Sequence, residues 1–161
     1  VQFLQGNYVA HLKDIPPRVR ASIEKLACAT YDSTPFTTGG PLRQRRVAIL
    51  STAGLHRRGD TRFKLSATDY RIIPAETTPA DLLMSHVSIN YDRTGYIQDL
   101  NTVFPLERLK DMQSHGEIGA VADRHYAFMG ATDPAGMSDE IAQVAGMMKA
   151  DRVDAVLLVP V

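Results

Sequence analysis

Apolar positions along this chain fall into two rhythms, one helical and one of strand type. From Pro16-Pro17 onward, Val19, Ile23, Leu26 and Ala27 recur at helical spacing through Cys28, and proline favours the first turn of a helix. The stretch from Asp32-Ser-Thr-Pro35 to Thr37-Thr-Gly-Gly-Pro41 has the composition of a loop. The pattern separates an N-terminal arm and helix, residues 1–41, from a body of residues 42–161. The arm is expected to pack on the body or on a neighbouring subunit.

Within the body, Arg46-Val-Ala-Ile-Leu-Ser51 is a short apolar run that ends in Thr52-Ala53-Gly54, which predicts a buried strand entering a glycine turn. A second strand is expected over Leu82 to Tyr91. There Val87, Ile89 and Tyr91 alternate with His86, Ser88, Asn90 and Asp92, so the polar set shares one face. Pro105 to Gly116 predicts a helix with Leu106, Leu109 and Met112 on one stripe. Apolar pieces follow at Ile118–Ala122 and His125–Gly130. Ser138, Asp139 and Glu140 open a further helix carrying Ile141, Val144, Ala145, Met147 and Met148. After it, Val153-Asp-Ala-Val-Leu-Leu-Val-Pro160 predicts a strand buried on both faces and central in its sheet. Strands alternating with helices indicate a single α/β domain of three layers, Rossmann-like or flavodoxin-like, with a mainly parallel sheet and a helical arm.

Length and charge narrow the classes. A chain of 161 residues has room for one domain at about 150 residues each. Eighteen basic and eighteen acidic residues cancel, which argues against nucleic acid or an anionic membrane as a partner held by bulk charge. A single cysteine, Cys28, excludes an intrachain disulfide framework and reads as a buried structural thiol. No apolar run approaches the ~20 residues of a membrane span, and no signal-peptide pattern opens the chain. A cytoplasmic location is the expectation.

Several segments carry candidate chemistry. Ser51, Thr52 and Gly54 form either a plain strand-to-loop turn or one whose amides and hydroxyls meet an anion. His56 with Arg57, Arg58 and Arg62 is either a solvated basic loop or an anion site. His86, Ser88, Asn90 and Asp92, with Asp99 and Asn101 downstream, offer acid–base and hydrogen-bonding groups to an amine substrate, although a polar strand face is ordinarily solvated and Asx residues often tie turns. His56, His86 and His125 would suit a metal if they converged, but no HxH or HExxH spacing demands it. His115, beside Gly116, reads as a helix cap. His125 lies in the cluster Arg124-His-Tyr126, beside the apolar Phe128-Met129-Gly130.

In order along the chain, Val47-Ala-Ile-Leu-Ser-Thr-Ala-Gly-Leu-His56, Ser85-His86 through Asp92, Gln98-Asp99-Leu-Asn101-Thr-Val-Phe-Pro105-Leu, Gly116-Glu-Ile-Gly119, Arg124-His125-Tyr-Ala-Phe-Met-Gly130 and Lys149-Ala-Asp-Arg-Val-Asp-Ala-Val-Leu-Leu-Val-Pro160 resemble the selenoprotein B family of the glycine, sarcosine, betaine and D-proline reductases. The resemblance implies reductive C–N cleavage of a small amino-acid-like substrate. A selenocysteine or cysteine nucleophile is implied just past the strand that ends Leu158-Val-Pro-Val161, in company with a thiol reductant and a reductase partner subunit or a second copy of the chain. The given chain is then expected to be the front piece of a longer selenocysteine or cysteine protein. On this reading His86, Asp92, Asp99 and His125 are the catalytic candidates. Ser51, Thr52, Gly54, His56, Arg58, Asn90 and Asn101 are the substrate-binding ones, with no cofactor assigned beyond the selenocysteine or cysteine expected past Val161 and with a metal left open. The alternatives are a small-ligand or metal-binding protein on the same scaffold without reductase activity, and a structural or regulatory partner in a larger complex. Glycine, sarcosine, betaine and proline chemistry are not distinguished.

Overall fold

The computed structural model describes residues 12–25, 30, 32, 36–88, 91 and 93–161. They belong to two compact units, residues 1–36 and 37–161. In the first unit the described helix is α1, Pro17–Ile23, with Pro17 in its opening turn. The helix expected through Cys28 ends at Ile23, with Glu24 as its C-cap and a turn over Glu24-Lys25, and residues 26–29 lie outside the described residues.

The second unit is built around β1 (Arg46–Ser51). One edge of β1 runs parallel to β7 (Ala155–Val159), in register from Val47↔Ala155 to Ser51↔Val159. Its other edge is shared by β5 (Ala120–Val121) and β6 (Arg124–Ala127), both parallel to it. Outside β6 lies β3 (Arg71–Pro74), antiparallel. The sheet is therefore mixed, with its parallel strands grouped about β1. A separate antiparallel pair joins β2 (Leu55–Arg57) to β4 (Leu82–Met84).

Alternation along β1 sends its side chains to two cores. Val47 and Ile49 pack with Phe104, Leu106 and Leu109, the leucines coming from α3 (Leu106–Ser114), which follows the short α2 (Thr94–Gln98). Ala48 packs instead with Tyr126, Phe128, Val144 and Met148, the last two from α4 (Ser138–Ala150). Fully burying side chains of this size contributes about 1.5–3 kcal/mol each. Arg124 of β6 forks onto the Asp151 carboxylate at 2.7 and 2.5 Å, which ties the end of α4 to the sheet. His115 Nδ1 donates to the Asp111 carbonyl at 2.8 Å, the capping role its position predicted. No helix among the described residues is long and apolar enough to cross a membrane.

Two sequence expectations need correction. The strand expected over Leu82 to Tyr91 ends at Met84. Ser85 N–H makes a last in-register bond to the Gly54 carbonyl, and the chain then leaves the pair as Ser88 N–H turns back to the His86 ring. The last strand is also not central. Among the described residues β7 pairs only with β1, and Val156, Leu157 and Leu158 are 42%, 38% and 65% exposed. Its apolar run is that of a strand made to be covered, but here it forms an edge.

The break between β5 and β6 has a specific filler. Ala122 N–H still reaches the Val47 carbonyl at 2.9 Å, but the next outward-facing amide of β1, Ile49 N–H, donates to the His125 Nδ1 at 2.9 Å. A side chain thus replaces a backbone carbonyl inside the sheet. Burial, and secondarily the Lys110 charge, push the His125 pKa down from 6.5 to about 4, with Asp123 opposing. The neutral ring is therefore the folded form, and protonation works against folding.

The sign follows directly. His125 stabilises the fold fully above pH 6.5, and that contribution is lost as pH falls toward 4, about 2–3 kcal/mol by pH 4.5. Urea midpoints at pH 7 and 4.5 should show a smaller acid loss for His125→Asn, whose amide oxygen preserves an acceptor, than for the natural chain. Equal losses would contradict the assignment. Leu158→Lys should change stability by no more than about 0.5 kcal/mol, whereas a central strand would lose several times that.

Candidate functional site

The connection from β1 to β5 carries α3 over one face of the sheet, and the connection from β6 to β7 carries α4 over the other. In α/β proteins ligands bind outside the carboxyl ends of the parallel strands, and the junction there is called the crevice. Here that place lies between the end of β1, at Ser51-Thr52, and the segment after β6, at Phe128–Gly130.

Thr52 laces the crevice together. Its N–H donates to the Val159 carbonyl at 3.1 Å, and its carbonyl accepts from Gly130 N–H at 2.8 Å. Its Oγ1 accepts from Val161 N–H at 2.8 Å. Gly130 permits this close approach, since a Cβ there would collide with the Val161 carbonyl oxygen and lie 2.8 Å from that of Thr52. Gly54 makes the opposite wall possible. Its φ of +66° suits glycine, and a Cβ would stand 3.1 Å from the His86 Cα.

His86 is brought against these strand ends and is 7% exposed. Its Nδ1 accepts the Ser88 N–H at 3.2 Å. Arg93 spans the same loop, donating to the carbonyls of His86 at 2.7 Å, Ser88 at 3.0 Å and Tyr91 at 3.3 Å. The Tyr91 ring lies 5.0 Å from the imidazole. His86 Nε2 is sealed from solvent without a completed hydrogen bond, facing the Val161 backbone. Burial first and the Arg93 charge second lower the His86 pKa, while the Val161 carbonyl works the other way.

The remaining sequence candidates have other positions. Ser51, fully buried, donates to the Val103 carbonyl at 2.8 Å and accepts from Ala53 N–H, so its hydroxyl is engaged inside the fold. His56 is buried on β2 with Nδ1 donating to the Arg57 carbonyl at 3.0 Å. Arg57 pairs with Asp60 at 3.3 Å and Arg58 reaches the Ala80 carbonyl at 3.1 Å, so both guanidiniums serve their own loop. Asp99 is exposed and accepts from the Asn101 backbone and side-chain amides, each at 2.9 Å. Those bonds lower its pKa. Asn101 lines a cavity of about 160 Å³ with Phe104, Glu107 and Lys110, which shares no lining residue with the crevice. His125 sits in the sheet at Ile49. Asn90 and Asp92 lie outside the described residues. Among the described residues no three of His, Cys, Asp and Glu are grouped to hold a metal ion, so His56, His86 and His125 do not converge on one.

The crevice thus joins Thr52, Gly54 and His86 of the sequence candidates, and adds Arg93, Tyr91 and Gly130. Reading 82–91 as a regular strand concealed Arg93, whose importance comes from a loop that folds back on itself. Gly130 was visible only as the end of an apolar run.

Glycine substitutions separate the crevice from the rest of the fold. Gly130→Ala should lose about 1–3 kcal/mol in urea unfolding, as overpacking does. Gly146→Ala, in α4 where a Cβ meets nothing within 4 Å, should gain about 0.5–1 kcal/mol. Equal responses would show that the crevice is not closely packed.

The model of the glycine/sarcosine/betaine reductase selenoprotein B family matches residues 40–161, which include all the crevice residues. The chain is 34% identical over 128 residues to the D-proline reductase subunit gamma of Acetoanaerobium sticklandii, an alignment covering 78% of this chain and 51% of that protein. The chain spans about half the length of that relative. No solved structure matches it. This chain belongs to the glycine/sarcosine/betaine reductase selenoprotein B family.

Proposed function

We propose that the chain supplies one wall of a reductase site that cleaves the C–N bond of a small amino-acid-derived substrate, acting within a multisubunit enzyme on a doubly wound sheet. The observation that carries this reading is the buried His86, its Nε2 facing the Val161 backbone just past β7, in a member of this reductase family. The subunit name of the D-proline reductase relative supports action in a complex. The uncovered apolar edge of β7 offers a reductase partner polypeptide a strand to pair with.

In this reading a selenolate or thiolate enters the crevice from the carboxyl end of β7 and attacks the substrate α-carbon. A chalcogen–carbon bond forms as the C–N bond breaks, and the amine leaves with its electron pair and takes up a proton. A thiolate from a dithiol reductant then attacks the chalcogen, and the released carbon takes a proton. The second thiol displaces the chalcogenide, leaving a disulfide. The substrate is thereby reduced by two electrons and the dithiol oxidised by two.

The test uses the native gene product with its co-purifying subunits and a dithiol. Its intact mass and selenium content report the nucleophile, and amine appearance from glycine, sarcosine, betaine or D-proline reports turnover. Turnover of one of these, reduced about 100-fold by His86→Ala, is the expected result. A native protein with neither selenocysteine nor cysteine at the site, or without turnover of any of the four, would overturn the reading.

A further inference from the structure

The protonation state of His86 can be read from its surroundings. A backbone amide only donates, so the Ser88 N–H at 3.2 Å makes Nδ1 the nitrogen that accepts. A neutral imidazole that accepts at Nδ1 carries its proton on Nε2. That second nitrogen is sealed from solvent and approaches the Val161 carbonyl just past β7, short of a completed hydrogen bond. A buried donor held short of full bonding geometry is costly, and a better-placed acceptor arriving with a ligand recovers that cost.

Arg93 accounts for the persistence of this state. One of its terminal nitrogens bridges the carbonyls of His86 and Ser88, at 2.7 and 3.0 Å. These residues bound the turn in which the Ser88 amide meets Nδ1. The same guanidinium places a fixed positive charge beside the imidazole, and a second proton on the ring would be repelled. A lysine would keep that charge but not the planar fork that spans both carbonyls.

We infer that His86 acts in this site as a neutral hydrogen-bond donor rather than as a base, presenting Nε2–H to an acceptor atom of the ligand at the carboxyl ends of β1 and β7, and that Arg93 is the positioning residue that holds it there. The inference deepens the proposed function and rests on that reading for the identity of the ligand. The ring geometry itself does not depend on it. Proton removal in the reaction then falls to another group or to solvent, because neither ring nitrogen is free to accept from substrate.

Nitrogen-15 NMR of the ring, in protein labelled at histidine, tests this without substrate or turnover. The His86 signals are assigned by their absence in His86→Gln. At pH 7 the natural chain should show an unprotonated-type Nδ1 and a protonated-type Nε2. Arg93→Ala, with circular dichroism unchanged, should lose this pattern to tautomer exchange or imidazolium. Arg93→Lys should restore the neutral ring but only part of the single-tautomer signature. If Arg93→Ala does not fold, Arg93→Lys and the natural chain decide the matter. An Nδ1–H tautomer or an imidazolium in the natural chain would overturn the inference. So would a single Nε2–H tautomer that persists undiminished in folded Arg93→Ala or Arg93→Lys. Since the readout needs no catalysis, failure of the reductase assay with the expected spectrum would reject the proposed reaction and leave the role of His86 standing.

Discussion

Everything in the body of this protein depends on satisfying the backbone of β1 along both of its edges. A strand buried between two cores has no water to bond, and an amide left without an acceptor there costs about 1–3 kcal/mol. One edge is met by five paired residues of β7. The other is met by two strand fragments and, in the gap between them, by the ring of His125. With this strand pinned, the two faces fill with α3 and α4. The carboxyl ends of β1, β6 and β7 then arrive together at Thr52.

The same constraint divides the work of two buried histidines. Both have lowered pKa values, with burial as the leading cause, yet their rings do different things. His125 uses Nδ1 to close a hole in a ladder, and the value of its neutral form is measured in stability. His86 uses Nδ1 to close a loop, which leaves Nε2 directed at the strand ends where α/β sheets bind their ligands. Perturbed titration alone does not separate a structural from a functional histidine. What separates them is place: the His125 ring is built into the β1 ladder at Ile49, whereas the His86 ring closes its own loop beside Gly54 and Val161.

The edge position of β7 bears on how the domain works in its family. Parallel strands with near-continuous apolar runs are ordinarily covered on both faces, and β7 exposes Val156, Leu157 and Leu158. Among the described residues β7 thus presents an apolar edge beside the candidate site.

The linear pattern by itself determined many of the strands and helices in the body, though not β2, β3 or α2. Short apolar runs at 46–51 and 155–159, and helical stripes over Leu106–Leu109 and Val144–Met148, are local signals set by burial and survive into the fold. The ordered motifs carried the family. Alternation misled at 85–88, because polar residues in a turn locked by Ser88 and Arg93 can alternate as those of a strand do. Strand order was not legible either, since an apolar run records that a strand is meant to be covered and not which neighbour covers it. Only the tertiary structure decided that His125 belongs to the sheet and His86 to the crevice. The two differ in which backbone amide each ring accepts, and those partners lie 76 residues away for one and two residues away for the other.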